Sequence, residues 1–373
     1  LWTNRLFTWQ LASVALAVAE GVTGLWLSVK LNAPPGATIA VVAGAGFALG
    51  PLVPLIARAR RRAVPAPAAA AAALALLALA GCGSSATGDS GKPVVVATTT
   101  QIGDFARAVG GDAISVHQIL RPNTDPHEYE PRPNDVTATA DAEVVLLNGD
   151  NLDAWMSKVV KESGGHPAVV TLGDVAPDKL PGESSGPEAS KYDAHWWHDP
   201  RNAIAAVERI RSELDKAVPS HAKTFDRNAA AYAAKLRGLD AGIARCFARI
   251  PAAERKLVTS HDAFNYFAKR YDVRVIGAII PSQSTEAQPS AGDVARLTKQ
   301  VKREHVKAIF LERSVSPKLG QAVARQTGTL GSLELYGDTL GPAGSPGATY
   351  IGMEKANADA MARGFTGGKQ GCR

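Results

Sequence analysis

Four side chains in this chain of 373 residues have the chemistry of a metal site. They are His127, His195, His261 and Asp338, in the segments DPHEYEP, AHWWHDP, LVTSHDAF and LYGDTLG. Three neutral imidazoles and one carboxylate form the ligand set expected of a borderline divalent ion such as Zn²⁺. None of the four is close enough to another in the sequence to chelate an ion alone. The sequence therefore predicts a fold that brings them together and holds the ion between two lobes.

From Lys92 onward, signals for strands and helices alternate along the chain. Eight short apolar runs predict strands: Val94–Thr98, Val116–Leu120, Val144–Leu147, Ala168–Thr171, Lys256–Ser260, Arg274–Ile279, Lys307–Leu311 and Leu333–Tyr336. Helical patterns lie between the runs, for example around Phe105–Val109 and over Leu152–Ser163. Such alternation is typical of parallel βαβ units. We therefore predict an α/β fold with two βα lobes, each a small parallel-type sheet flanked by helices.

The region between the two groups of strands is predicted to hold long helices. Asp199 and Pro200 are suited to the N-cap and the first helical position. Pro219 then breaks the pattern, and a second helix is predicted from about Ser220 to Ile250. A helix of about thirty residues is about 45 Å long, enough to cross both lobes as a strut. The predicted domains are an N-terminal metal-binding lobe over 92–218, a linking helix over 219–250 and a C-terminal metal-binding lobe over 251–373.

The predicted strands indicate where the four candidate ligands lie. In doubly wound α/β sheets, ligands bind beyond the carboxyl ends of the strands. His261 directly follows one predicted strand, and Asp338 follows another after a single glycine. His127 lies in a proline-bounded loop, and His195 precedes two tryptophans whose rings could exclude water. Two ligands then come from each lobe, which predicts an ion in the cleft between them.

Residues 1–62 have the pattern of two transmembrane helices. Trp9–Ser28 and Ala37–Ala57 are apolar and long enough to cross a bilayer, with the turn NAPPG between them. The positive-inside rule places Arg5 and the arginines at positions 58–62 in the cytoplasm. Two spans cannot enclose a transport path, so a working permease is excluded.

The distribution of charge argues against a nucleic-acid partner. Residues 1–82 contain six Lys or Arg residues and one Glu, so they carry +5 of the formal net charge of +6. The rest of the chain is nearly neutral and has no basic stripe. We therefore expect no binding of nucleic acid.

The three cysteines predict an exported, lipid-anchored protein. Residues 63–82 follow a cluster of arginines, continue as an apolar run and end in Leu-Ala-Gly-Cys, the pattern of a lipoprotein signal with Cys82 as the lipidated residue. Residues 83–91 are a flexible polar tether. An alanine-rich helix with a chance cysteine is the alternative. In an oxidising compartment Cys246 and Cys372 could form a disulfide, although two separate thiols are also compatible with the sequence.

Over residues 92–365 the chain resembles the zinc/manganese-type solute-binding lipoproteins of ABC importers. The resemblance rests on six segments: DPHEYEPRPND, AHWWHDP, SHDAFNYFAKRY, PSQSTEAQPSAGDVARL, FLERSVSPK and YGDTLG. It implies that His127, His195, His261 and Asp338 bind the metal, and that one rigid helix joins the lobes. It also implies a monomer that delivers metal to a membrane permease and its ATPase.

The stretch AEGVTGLWLSVKLNAPPGATIAVVAGAGFALG resembles the C-terminal end of the permeases of metal-importing ABC transporters. Residues 1–62 are therefore interpreted as a permease fragment joined to the lipoprotein. A natural fusion and an artefactual junction are both compatible with the sequence.

Other polar residues, and other roles for the candidates, are alternatives to the four proposed ligands. His198 lies three residues after His195, but the register of the H-x-W-x-D-P motif favours His195 and leaves His198 behind the ligands or exposed. Asp338 could instead cap a turn before Thr339. Glu286 is expected to be structural. The four other histidines are expected at the surface: His117, His166, His221 and His305.

The choice of metal depends on His261. The resemblance implies a carboxylate at this point in relatives specialised for Mn²⁺ and an imidazole in zinc binders, in agreement with the ligand preferences of the two ions. The histidine-rich loop often found in zinc members is missing from residues 173–191. We expect an extracytoplasmic, lipid-anchored receptor for Zn²⁺. The alternatives are a manganese or mixed-metal binder, a metal-containing surface adhesin and a zinc hydrolase, although H-E-x-x-H is absent.

Overall fold

The computed structural model describes residues 2–49, 91–186 and 189–372. The chain divides into two compact units. One contains the N-terminal helices with Gly91 and Glu130–Thr137, and the other contains residues 92–129 and everything from Ala138 onward. All four candidate metal ligands belong to the second unit.

The N-terminal unit contains α1 (Trp2–Leu31) and α2 (Pro35–Leu49). The part of α1 from Phe7 to Leu31 is long and apolar enough to cross a membrane, a property that it shares with signal sequences. Its large apolar side chains are mostly exposed, as Trp9 is at 74%. The predicted span Trp9–Ser28 lies within it.

Three sequence predictions fall wholly or partly outside the described residues. The second predicted span, Ala37–Ala57, continues beyond the end of α2. The lipoprotein signal with Cys82 and the tether up to residue 90 also lie outside the described ranges.

The first lobe is built on a four-stranded parallel sheet with strand order β2-β1-β3-β4. Its strands are β1 (Val94–Ala97), β2 (Ser115–Gln118), β3 (Ala142–Leu147) and β4 (Ala168–Thr171), and its helices are α3 (Thr100–Gly110) and α5 (Trp155–Ser163). Between β2 and β3 the chain forms α4 (Pro133–Ala140), of which residues up to Thr137 belong to the N-terminal unit. All four predicted strands of this lobe are present. The central strands are buried, which explains why they read as continuous apolar runs.

Helix α3 shows how local sequence fixes an element beside the site. The side chain of Thr99 accepts a hydrogen bond from Ile102 N and so caps the helix. The apolar residues Ile102, Phe105 and Val109 recur at helical spacing and are fully buried. The helix ends where Gly111 adopts φ +53°, a conformation that L side chains rarely adopt. The first turn of α3 is therefore held firmly at the carboxyl end of β1.

The second lobe contains four parallel strands in two separate pairs, β5 with β6 and β7 with β8. Its strands are β5 (Lys256–Thr259), β6 (Arg274–Ala278), β7 (Ala308–Glu312) and β8 (Leu330–Leu335), and its helices are α8 (Asn265–Tyr271), α9 (Ala291–Arg303), α10 (Lys318–Thr327) and α11 (Tyr350–Phe365).

The prediction of a single sheet in the second lobe is therefore wrong for the described residues. Each pair contains a register shift, which interrupts the regular ladder. The carboxyl ends of the two pairs are joined by a side chain instead, because Glu312 N donates to Ser260 Oγ at 3.0 Å.

Two long helices, α6 (Pro200–Ala217) and α7 (Ala222–Phe247), lie between the two groups of strands. Asp199 caps α6 by accepting from Arg201 N at 2.9 Å, and Pro219 begins a short 3₁₀ turn before α7. The predicted break is present, but α7 is 26 residues long and ends before the predicted Ile250. Its length of about 39 Å allows it to pass both lobes.

Contacts at both ends of α7 tie it to the two lobes. In the first lobe, Asn228 Nδ2 donates to Val109 O at 2.9 Å. In the second lobe, Arg270 Nε donates to Asp240 Oδ1 at 2.8 Å. The structure joins Cys246, near the end of α7, to Cys372 by a disulfide, which fastens the C-terminal tail to this helix.

We expect loss of this disulfide to destabilise the metal-binding unit. The bond links positions 126 residues apart, so it restricts the unfolded chain strongly, and such bonds contribute about 2–5 kcal/mol. The double variant Cys246→Ser/Cys372→Ser should lose that much free energy of unfolding in a urea titration. Reduction of the unaltered chain is the control and should give the same loss. Equal stability of the oxidised and reduced chains would show that the bond contributes nothing.

Candidate metal centre

The fold brings the four predicted ligands to one point. One nitrogen of His127, His195 and His261 and one oxygen of Asp338 all lie within 4.8 Å of one another. All four residues are buried, His127 at 6% exposure and the others at 0%. The four residues singled out from the sequence are therefore neighbours in space, although they are far apart in the chain.

Three of the four atoms already have the spacing of a tetrahedral site. His195 Nε2 lies 3.4 Å from His261 Nε2, and Asp338 Oδ1 lies 3.5 Å from the first and 3.4 Å from the second. Adjacent ligands of tetrahedral zinc are about 3.3–3.4 Å apart when the bonds are about 2.0–2.1 Å long. These three atoms therefore form one face of a tetrahedron, and the ring of His127, centred 5.5 Å from that of His261, lies near the fourth corner.

A short local feature, such as a turn or a backbone hydrogen bond, fixes the position of each histidine. His261 lies just beyond β5, and its backbone N–H donates to Glu312 Oε1 at 2.9 Å. His195 begins the 3₁₀ turn that leads into α6. The backbone N–H of His127 donates to Asp125 Oδ1 at 3.0 Å, which tightens the turn after β2.

Two buried carboxylates orient the imidazoles. His195 Nδ1 lies 2.7 Å from Asp193 Oδ1, and His261 Nδ1 lies 2.8 Å from Glu312 Oε2, the latter as an ion-pair contact rather than a well-aligned hydrogen bond. A carboxylate that holds the Nδ1 proton leaves the Nε2 lone pair directed at the metal position. Sequence reasoning missed Asp193 and Glu312. The available signals were that Asp193 stands two residues before a candidate ligand and that Glu312 ends a buried apolar strand.

The metal position is sheltered by the two tryptophans that follow His195. Trp196 and Trp197 are each 1% exposed, and the ring of Trp197 is centred 5.3 Å from that of His195. Their indole N–H groups donate to backbone carbonyls, Trp196 to Asn148 O and Trp197 to Gly337 O. They therefore pack around the site and exclude water from one side of it.

The other polar candidates lie outside the cluster. His198 is fully buried, with Nδ1 2.8 Å from Glu354 Oε1 and its ring stacked at 4.3 Å on Phe264. Of the two expectations for His198, exposure is therefore wrong, because the ring is buried and paired with Glu354 of α11. His166, His221, His305 and Glu286 are exposed, and His117 is half-buried.

Burial and the nearby carboxylates shift the pKa values of His195 and His261 in opposite directions. Burial lowers the pKa of His195, but Asp193 and Asp338 raise it to about 9. For His261, burial also lowers the pKa, but Asp338 and Glu312 raise it well above its ordinary value. Burial raises the pKa of Asp338, but His261 and His195 hold it well below its usual range. At neutral pH these shifts in pKa favour protonated His195 and His261 beside an ionised Asp338.

Comparison with known proteins places this geometry in context. Residues 95–364 match the sequence model of the family described as ZnuA, zinc-uptake complex component A, periplasmic. The chain is 33% identical to the iron-binding protein YfeA of Yersinia pestis over 271 residues, which cover 73% of this chain and 86% of that protein. It is 34% identical to the manganese-binding lipoprotein MntA of Bacillus subtilis over 291 residues, covering 76% of this chain and 93% of the relative.

A solved structure shows the same architecture. The periplasmic zinc-binding protein TroA of Treponema pallidum superposes with a TM-score of 0.68 at 30% sequence identity. The match covers 74% of this chain and 99% of that protein.

We expect metal binding to release protons at neutral pH. The raised pKa values of His195 and His261 mean that at pH 7 each ring carries a second proton, in addition to the one on a neutral imidazole. The metal must displace this second proton from each ring, so about two protons should leave per ion. Apparent affinity should therefore fall as the pH decreases from about 9. Calorimetry at pH 7 in two buffers with different ionisation enthalpies measures the release directly. The same binding heat in both buffers would contradict this assignment of protons.

Proposed function

This chain belongs to the ZnuA family of metal-importer components, and we propose that it is a lipid-anchored receptor that captures Zn²⁺ and delivers it to an ABC importer. Members of the family are extracytoplasmic solute-binding proteins. The observation that carries the proposal is the convergence of His127, His195, His261 and Asp338 in a buried cluster. The metal is the cargo of this protein.

The donor set supports zinc as that cargo. Three imidazole nitrogens and one carboxylate oxygen suit Zn²⁺ better than the harder Mn²⁺, which prefers oxygen ligands. The spacing of the three atoms on one face, 3.4–3.5 Å, fits a tetrahedral ion. Asp338 Oδ1 is the oxygen nearest His195 and His261, and Oδ2 accepts a hydrogen bond from Ser314 Oγ at 3.4 Å.

Manganese and iron are the second candidates. One relative is named for iron, one for manganese and a solved structure for zinc, so membership of the family does not by itself select the ion. In our proposal the residue at position 261 selects the ion. An imidazole at this position favours zinc, and a carboxylate favours manganese.

We expect a carboxylate at position 261 to move the preference from zinc towards manganese. His261→Glu should be combined with Glu312→Gln, because Glu312 would otherwise repel the new carboxylate. The ratio of the zinc to the manganese dissociation constant should rise at least about tenfold, since imidazole favours zinc and oxygen favours manganese. Competition titrations of the purified chain, with Glu312→Gln alone as the control, measure this ratio.

The same titration tests the proposal as a whole. The unaltered chain should bind one zinc ion and prefer it to manganese. Failure to bind zinc, or preference for manganese in the unaltered chain, would refute the zinc assignment, and an unchanged ratio in the double variant would remove position 261 as the selector.

A hydrolytic role is disfavoured by the same cluster. A catalytic zinc keeps one coordination position for water, whereas four protein ligands fill a tetrahedral shell. In our proposal the shell is closed, so the bound ion cannot generate a hydroxide nucleophile.

The partners follow from the family. Solute-binding proteins of metal ABC importers work with a permease and an ATPase, and we propose that this chain does so as a monomer. We further propose that α7, which is bonded to both lobes, limits their relative motion. The relatives from Streptococcus and Bacillus are named lipoproteins, which supports a lipid anchor at Cys82.

We expect the lipid to be attached at Cys82 after cleavage of the preceding segment. Mass spectrometry of the mature protein should find Cys82 at the N-terminus with a diacylglyceryl group. Cys82→Ser should abolish incorporation of labelled fatty acid, because no other cysteine follows a lipoprotein signal. An intact peptide that spans Gly81 and Cys82 in the mature protein would rule out this anchor.

A further inference from the structure

We infer that Gln101, in the first lobe, is the positioning residue for Asp338, so that this aspartate is held by the lobe opposite to the one that contains it in sequence. The inference rests on the proposed metal site and concerns how that site is assembled. Asp338 lies in the loop between β8 and α11 of the second lobe, whereas Gln101 lies in the first turn of α3.

Four consecutive residues of the Asp338 loop are hydrogen-bonded to the first lobe. The bonds run from Trp197 Nε1 to Gly337 O at 3.3 Å, from Gln101 Nε2 to Asp338 O at 2.9 Å, from Asn123 N to Thr339 Oγ1 at 3.0 Å and from Leu340 N to Thr100 Oγ1 at 2.8 Å. Every residue from 337 to 340 is therefore attached across the cleft.

Just before these contacts begin, the chain is firmly hydrogen-bonded to its own lobe. Tyr336 is fixed to α11, where Asn357 accepts from Tyr336 N and donates to Tyr336 O, both at 2.8 Å. Beyond Tyr336, Asp338 has a long contact of 3.4 Å to Ser314 Oγ and a ligand-to-ligand distance of 3.4 Å to His261. The short bonds to the backbone of Asp338 and Leu340 come from the other lobe.

The amide of Gln101 is oriented for this task. Thr100 Oγ1 donates to Gln101 Oε1 at 3.0 Å and accepts from Leu340 N, so the NH₂ group of Gln101 must face Asp338 O. Gln101 is 1% exposed, and α3 is fixed by its buried apolar face. A buried bond from a rigid element locates the aspartate far better than a loop could by itself.

The backbone of His261, unlike that of Asp338, is hydrogen-bonded within its own lobe. Its backbone N–H is bonded to Glu312, and its carbonyl accepts from Thr259 Oγ1 at 2.6 Å, both in the second lobe. Separation of the lobes would therefore draw His261 away from Asp338, unless the bonds at residues 337–340 broke first. Contact between the lobes, through the bonds at residues 337–340, is therefore what keeps Asp338 beside His261.

The test is the isosteric variant Gln101→Met in the full-length chain. It keeps the volume of the side chain but removes the donor, and the Kd for zinc should rise by about ten- to a hundredfold, as is usual when a partner that orients a ligand is lost. Cobalt(II) as a spectroscopic probe should show weaker visible bands, because the four-coordinate geometry is disturbed.

Tyr232→Phe is the matched control. It also removes a hydrogen bond to α3, the partly buried one from Tyr232 OH to Asp104 Oδ2 at 2.8 Å, but it does not touch the Asp338 loop. Its Kd and cobalt spectrum should equal those of the unaltered chain. If Gln101→Met does not fold, Thr339→Val, which removes the acceptor of Asn123 N, tests through the neighbouring bond whether the first lobe holds the Asp338 loop.

The outcomes separate this inference from the proposed function. An unaltered chain that fails to bind zinc would overturn both. An unaltered chain that binds zinc, together with a Gln101→Met variant of equal Kd and equal cobalt spectrum, would overturn the positioning role alone. Equal losses in Gln101→Met and Tyr232→Phe would also overturn it, because they would indicate general destabilisation.

Discussion

The structure of the metal-binding unit depends on keeping three imidazoles and a carboxylate close together away from water. Burying such groups is costly unless each has a polar partner. The carboxylates of Asp193 and Glu312 hold the outer nitrogens, and Trp197 closes one side. In the proposed function, a cation displaces the protons of the inner nitrogens and becomes the partner that the four inner atoms share.

Much of the fold could be predicted because buried parallel strands have a recognisable local sequence pattern, a short run of apolar residues. All eight strands were recognisable as short apolar runs, and the break at Pro219 and the cap at Asp199 follow from the chemistry of single residues. The division of the second lobe into two strand pairs could not be predicted. Which strand bonds to which depends on contacts distant in sequence, and an apolar run does not identify its partner.

The same distinction applies to the site. Three histidines and an aspartate beside strand ends and turns could be singled out, and these four residues do cluster in space. Carboxylates such as Glu312 and amides such as Gln101 occur throughout the surface of any protein, and the sequence does not indicate which of them point inward. Their roles become visible only through burial and distance.

Under the proposed function, the position of His261 just past β5 separates the choice of ion from the stability of the sheet. Its side chain takes no part in the strand ladder, which uses backbone groups of Lys256–Thr259. In our proposal, a new donor atom at this position, together with a neutral side chain at position 312 behind it, changes the atom that meets the cargo while the strands beneath remain as they were. Such an arrangement would let a lineage adapt to a new supply of nutrients without redesigning the fold, and similar proteins are indeed named for iron, manganese and zinc.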